Sequence, residues 1–257
     1  MERAGHEREL TRAFTSQAAA FAASAVANAD EILDAIVEQA QPQPTERWLE
    51  SACGPGIVSR RLAPLAHSVV GVDITPAMIE LARRRAAAAG ADNTSFELAD
   101  ATATGWPAAG FDAAVTRFSL HHVPVPVRLI SEMARLVRPG GRIVVADHIA
   151  DEDGEPRAWA QEVERLRDPS HWASLPVDRL RDVGRQSGLE LIGERRLGYE
   201  LDFADWLVRG TSDPRAHELV ERALTERPSG TGAFGVERRG SGRVLTLQIW
   251  VGAWRRN

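Results

Sequence analysis

The stretch Trp48–Asp73, WLESACGPGIVSRRLAPLAHSVVGVD, constrains the fold more than any other part of the chain. An apolar run ends in an acid, Trp48-Leu49-Glu50, and a loop of small residues follows, Ser51-Ala52-Cys53-Gly54-Pro55-Gly56. Ile57 to Ala66 then carries Val58, Leu62 and Leu65 at helical spacing, and the β-branched run Val69-Val70-Gly71-Val72 stops at Asp73. Strand, tight loop, helix and strand in this order form the first half of a doubly wound α/β sheet, whose ligands sit beyond the carboxyl ends of the strands. Gly54 and Gly56 let the backbone approach a ligand closely, and the helix start behind them points free N–H groups at it. Asp73, ending the second strand, is placed to accept from two ribose hydroxyls. The stretch predicts a site for a nucleoside-containing cofactor.

Two cofactors compete for it. A dinucleotide fingerprint needs G-x-G-x-x-G/A, and Ser59 occupies the third position. S-adenosylmethionine carries no phosphate and needs no pyrophosphate cradle. Glu50 before the loop then serves its ammonium group, directly or through water, and Asp73 its ribose.

The remaining elements follow in order. Residues 1 to 40 read as helical, with Leu10, Phe14, Ala18 and Phe21 at helical spacing and a second helix from Asp30 to Gln39. This segment either packs on the sheet edge or forms a lid in which Phe14, Gln17 and Phe21 cover the cofactor. Thr75-Pro76 starts a helix that Gly90 ends. Thr94 to Leu98 is a third strand, after which Asp100 accepts from an adenine amino group while the Ala101 N–H donates to the ring. Trp106 stands either beside the adenine or over the core. Phe111 to Thr116 is the fourth strand, and Arg117-Phe118-Ser119-Leu120-His121-His122 leaves its carboxyl end. A helix from Pro126 to Val137 is broken by Arg138-Pro139-Gly140-Gly141 before the fifth strand, Arg142 to His148. Helices are predicted at Pro156–Leu166, Val177–Ser187, Ala204–Arg209 and from Pro214 to about Glu226. Leu189 to Leu201 is a sixth strand, Ser229 to Gly242 a loop or hairpin turn, and Val244 to Trp254 the final strand.

The blocks E-x-A-x-G-x-G, GVDITPAMIELA, ELADA, FDAAVTRFSLHHV and EMARLVRPGGRIVVADH, in this order, resemble the class I S-adenosylmethionine-dependent methyltransferases. The nearest branch is the UbiE-like small-molecule group. The resemblance is strong over residues 45 to 150, with Ala52 standing where a glycine is usual, and RLRDPSH at 165–171 is similar to some uncharacterised members. It implies a Rossmann-like sheet of order 3-2-1-4-5-7-6 in one domain: a helical lid (1–44), a cofactor core (45–150), and a cap with the final strands (151–257). It also implies a cofactor site of Glu50, Ala52, Gly54, Gly56, Asp73, Ile74, Met78, Asp100, Ala101 and Arg117, with Phe14 and Gln17 from the lid. The implied activity is methyl transfer to a small molecule in quinone or secondary metabolism.

Composition narrows the alternatives. The chain contains no lysine, which excludes Schiff-base chemistry, and its single cysteine, Cys53, excludes an internal disulfide or a cysteine-based zinc site. A net charge of −5 disfavours a broad nucleic-acid footprint. No apolar run reaches membrane-spanning length, and the N-terminus MERAGHEREL is too charged for a signal peptide, which predicts a cytoplasmic protein. A homodimer is left open. The carboxylates and histidines lack metal-ligand spacing, so no metal is predicted. An NAD-linked oxidoreductase would need a small residue at 59 and a nicotinamide half-site. A nucleic-acid methyltransferase would show an Asn/Asp-Pro-Pro-Tyr/Phe motif where Arg117-Phe118-Ser119 stands. A protein that uses the same pocket for another reaction, such as cyclisation, shares every motif and stays open at this level. Candidate bases are His121, His122, His148 and His171, each against a purely structural role. His121 or His122 is favoured to contact the acceptor. Arg117 either holds an acidic acceptor or pairs with an acid of the chain, and Cys53 is read as a small loop side chain rather than a nucleophile.

Overall fold

Parallel strands covered on both faces are apolar throughout, and successive residues serve opposite faces. In the computed structural model, which describes Gly5 and residues 10–15, 30–152, 154–211 and 213–257, four of the first five strands follow this rule, and the third, an edge strand, buries only Phe96. They are β1 (Arg47–Ser51), β2 (Ser68–Asp73), β3 (Thr94–Leu98), β4 (Phe111–Arg117) and β5 (Val137–His148). Trp48, Val69, Val115 and Val144 face one layer, with Ile32 and Ile36 of α1 (Asp30–Ala40) and Val58 and Leu62 of α2 (Ile57–Leu62). Leu49, Val70, Ala114 and Val145 face the other, against Leu129 and Met133 of α4 (Pro126–Leu136) and Leu180 of α6 (Val177–Gln186). The helix after β2, α3 (Pro76–Ala88), sets Ile79 and Ala82 on Phe96.

Three antiparallel strands complete the eight-stranded sheet: β6 (Leu189–Asp202), β7 (Phe234–Arg239) and β8 (Gly242–Arg256). The order is 3-2-1-4-5-8-6, which is the expected arrangement with the final strand between the fifth and sixth and β7 added beside it. One edge of β8 pairs with β6 over residues 244–256. Its other edge pairs with β5 over 249–255 and with β7 over 242–247. The β6–β8 ribbon therefore runs past the parallel strands. On this overhang sit α5 (Glu155–Arg167), α7 (Phe203–Gly210) and α8 (Pro214–Glu226), closed by Val163, Trp206, Val220, Phe234 and Leu245.

Three local expectations change. The segment 229–242 holds strand β7, because Phe234 and Val236 alternate with outward Gly235 and Glu237 and add a buried stripe to the cap. Arg138–Gly141 belongs to β5 and does not precede it; pairing with β4 shifts register between Phe111 and Ala113, so the glycines form a bulge. The helix after the glycine loop ends at Leu62 and tightens into a 3-10 turn, Ala63–Leu65, at Pro64.

Candidate active site

A cavity of about 280 Å³ opens at the carboxyl ends of β1, β2 and β4, between the glycine loop and the cap. The loop is shaped by three alternate residues with positive φ, Ala52 (φ 51°), Gly54 (φ 49°) and Gly56 (φ 67°). Ala52 therefore occupies a position that favours glycine. An alanine there costs roughly 1–2 kcal/mol, of which glycine would recover part after its own entropic loss. Ala52→Gly should stabilise the protein by up to about 1 kcal/mol in urea titrations; a destabilised variant would show that the methyl packing outweighs the backbone.

Gly54 faces the cavity, and a Cβ there would meet no protein atom within 4 Å. Its N–H donates to Asp73 Oδ2 (2.8 Å), and the Thr75 N–H donates to Asp73 Oδ1 (2.8 Å). Each oxygen keeps a further lone pair for a hydroxyl. Gly56 carries a packing constraint as well. A Cβ there would stand 2.6 Å from the Phe96 ring, so this glycine serves packing beneath the loop, away from the cavity wall.

Glu50 is buried beneath the start of α2. It accepts from the N–H groups of Val58 (3.3 Å) and Ser59 (2.7 Å) and from the Ser59 hydroxyl (2.5 Å). Burial pushes its pKa up to about 7 against these donors. Oε2 takes two of these donors, while Oε1, which accepts only from Val58, keeps a further lone pair. Asp100 accepts from Thr102 N–H and hydroxyl (both 2.8 Å), and Ala101 lies beside it on the wall. Ile74, Met78, Phe14 and Arg117 also line the cavity, whereas Gln17 lies outside the described residues. Trp106 packs on the core beside Phe111. Burial, with Glu50 and Asp73 nearby, raises the Cys53 pKa, so the group stays a thiol.

Across the cavity, four imidazoles gather around one carboxylate. The His121 ring is 4.1 Å from His122, 5.0 Å from His148 and 5.5 Å from His171, centre to centre. His121 Nδ1 lies 2.5 Å from Asp147 Oδ1. Asp147 also accepts from the N–H groups of Ser119 (3.1 Å), Leu120 (2.7 Å) and His148 (2.7 Å), so a turn of backbone fixes the carboxylate before it fixes the ring. Burial opposes charge on His121, but the Asp147 carboxylate and its hydrogen bond, with Glu164 and Asp168 further out, carry its pKa above the ordinary value. His122 goes the other way: burial and its His121 neighbour lower it to about 4. Its Nδ1 meets the carbonyl (3.1 Å) and hydroxyl (3.2 Å) of Ser170. Burial and His121 likewise depress His148 and His171, leaving His121 as the one imidazole of the group that takes a proton near neutrality. His171 is folded back towards the group, as its candidacy required, but bonds Gln161 (2.9 Å) behind the wall.

His121, Asp147 and His148 also bring candidate ligand atoms within 4.8 Å of one another. The Asp147 oxygens are already satisfied by three N–H groups and an imidazole, a pattern that orients a base rather than a cation. Asp147 is the residue that sequence reasoning missed. Its only sequence signal was an acid beside His148 at the end of the fifth strand.

The cavity lining combines Glu50, Asp73 and Asp100 with a loop whose Gly54 leaves room for a ligand. Carboxylates there match a cationic, phosphate-free nucleoside, and S-adenosylmethionine fits.

Comparison with known proteins agrees. Residues 49–141 match the methyltransferase domain family. The chain is 32% identical over 177 residues to phosphatidylethanolamine N-methyltransferase of Cereibacter sphaeroides, covering 68% of this chain and 72% of that one. It is 39% identical over 106 residues to demethylmenaquinone methyltransferase of Clavibacter sepedonicus, covering 41% of this chain and 42% of that enzyme, under half its length. The uncharacterized methyltransferase YcgJ of Bacillus subtilis is 26% identical over 74% of this chain and 76% of its own. The YcgJ crystal structure superposes with a TM-score of 0.78 at 23% identity, over 89% of this chain and 99% of that one. Glycine loop, acid-ended strands, sheet order and these matches converge: the chain belongs to the class I S-adenosylmethionine-dependent methyltransferases, with UbiE-like demethylmenaquinone methyltransferases among its relatives.

Proposed function

We propose that this methyltransferase acts on a small organic acceptor whose reacting atom loses a proton, that His121 takes that proton, and that Asp147 positions His121. The observation that carries the reading is the His121–Asp147 pair, buried on the wall of the cavity that the cofactor residues line. Bound S-adenosylmethionine supplies an activated methyl on a sulfonium centre. Asp73 is assigned to its ribose, Asp100 and the Ala101 N–H to its adenine, and Phe14 to the covering lid. With Nδ1–H donated to Asp147, the lone pair of His121 resides on Nε2, available to an O–H, N–H or acidic C–H. The relatives named for demethylmenaquinone support a quinol-like acceptor.

Product analysis by mass spectrometry, with methyl-labelled cofactor and a panel of phenols, hydroquinones and enolisable ketones, tests the transfer. For any acceptor found, the sign of the pH dependence follows from His121. Its neutral form is the base and its pKa is raised, so the single-turnover rate should climb as pH rises through that value. Asp147→Asn removes the charge that raises it, and should move both the rate profile and the His121 titration, followed by NMR of labelled histidine, to lower pH. A titration that does not move would remove Asp147 from this role.

A further inference from the structure

Building on the acceptor site just described, we infer that the acceptor carries a carboxylate, received by the Arg117 guanidinium at the carboxyl end of β4. Arg117 ends β4, and its guanidinium lies over the Phe118 ring at 4.2 Å. Its Nε is buried without a hydrogen-bond partner, and Arg117 forms no ion pair among the described residues. The two nearby acids are committed elsewhere, Glu50 to the start of α2 and Asp147 to His121 and three N–H groups. Burial lowers the Arg117 pKa to about 10, which still leaves it charged at neutral pH. A guanidinium desolvated without a partner is costly, and a planar carboxylate on the ligand offsets that cost through paired N–H···O bonds.

Neighbours engage two of the other arginines that line the cavity. Arg167 is paired with Glu164 (3.3 Å) and Asp168 (3.6 Å) and stacks on Trp206. Arg209 is hydrogen-bonded to Tyr199, whose hydroxyl also feels the Arg117 charge. Leu201, Trp206 and Leu247 supply apolar wall beside them. The cavity carries both signs, with Glu50, Asp73 and Asp100 among its acids and Arg117 as a cation that forms no ion pair with them. A cationic donor and an anionic acceptor each find an opposite charge on this lining.

The test is calorimetry on the full chain saturated with S-adenosylhomocysteine, so no turnover is involved. Two matched probe pairs are titrated, 2-naphthoate against 2-naphthamide and dodecanoate against dodecanamide. In at least one pair the carboxylate should bind tenfold or more tightly than its amide. Arg117→Gln should abolish that preference with S-adenosylhomocysteine affinity held within twofold, and Arg117→Lys, which keeps the charge, should retain part of it. No carboxylate preference in either pair overturns the inference. A tenfold loss of S-adenosylhomocysteine affinity in Arg117→Gln overturns it too, because the guanidinium then serves the cofactor's own carboxylate. Proton transfer by His121 is read from rates and NMR, so either conclusion can fail while the other stands.

Discussion

Replacing His121 with alanine should lower the single-turnover rate by about 10²–10⁴-fold, the usual contribution of a positioned general base, with cofactor affinity unchanged. The neighbouring His122→Ala should be mild. The two imidazoles lie 4.1 Å apart, but only His121 has a carboxylate on Nδ1. His122 is turned to Ser170 and is held near pKa 4, too weak a base to draw a proton from a phenol or an enol. The pair of variants therefore separates chemistry from packing, since both side chains are buried and both losses disturb the same wall. Full rate with His121 replaced would leave positioning as the whole of catalysis and would point to an acceptor that is already nucleophilic.

Asp73→Ala should weaken cofactor binding by roughly 1.5–3 kcal/mol, about ten- to a hundred-fold or somewhat more, as expected for hydrogen bonds to a charged group. Part of that loss comes from the loop. Asp73 ties Gly54 to Thr75 through 2.8 Å bonds, so its removal also releases the backbone around the ligand. Thermal midpoints without cofactor measure the loop's share, and titration with S-adenosylhomocysteine measures the whole. Unchanged affinity in a folded variant would take the ribose away from Asp73.

Features encoded within one element were legible from sequence, and features made by meeting elements were not. The glycine loop, the acids ending β2 and following β3, and the strand leading to His121 and His122 are local patterns, and they lie where their periodicity placed them. Asp147 escaped because its role depends on β4 and β5 ending side by side, with Leu120 and His121 reaching across to it. Nothing within ADH distinguishes that acid from one facing solvent. The packing constraint on Gly56 was hidden for the same reason: its neighbour, Phe96, is forty residues further along and fills the space a side chain would need. Strand β7 was hidden by its short length and its arginines, and only pairing with β8 makes FGVERR a strand.

The overhanging β6–β8 ribbon separates two specificities that share one sheet. Asp73 and Gly54 stand on or beside the parallel strands, while Tyr199, Leu201 and Leu247 stand on the ribbon that projects beyond them. The ribbon acts as a cantilever: its root is locked to β5, and its projecting length, braced by β7, carries the part of the cavity wall proposed for the acceptor. Substitutions along that free length can reshape which molecule is methylated without disturbing the seat of the methyl donor, giving the enzyme an interchangeable head on a fixed handle.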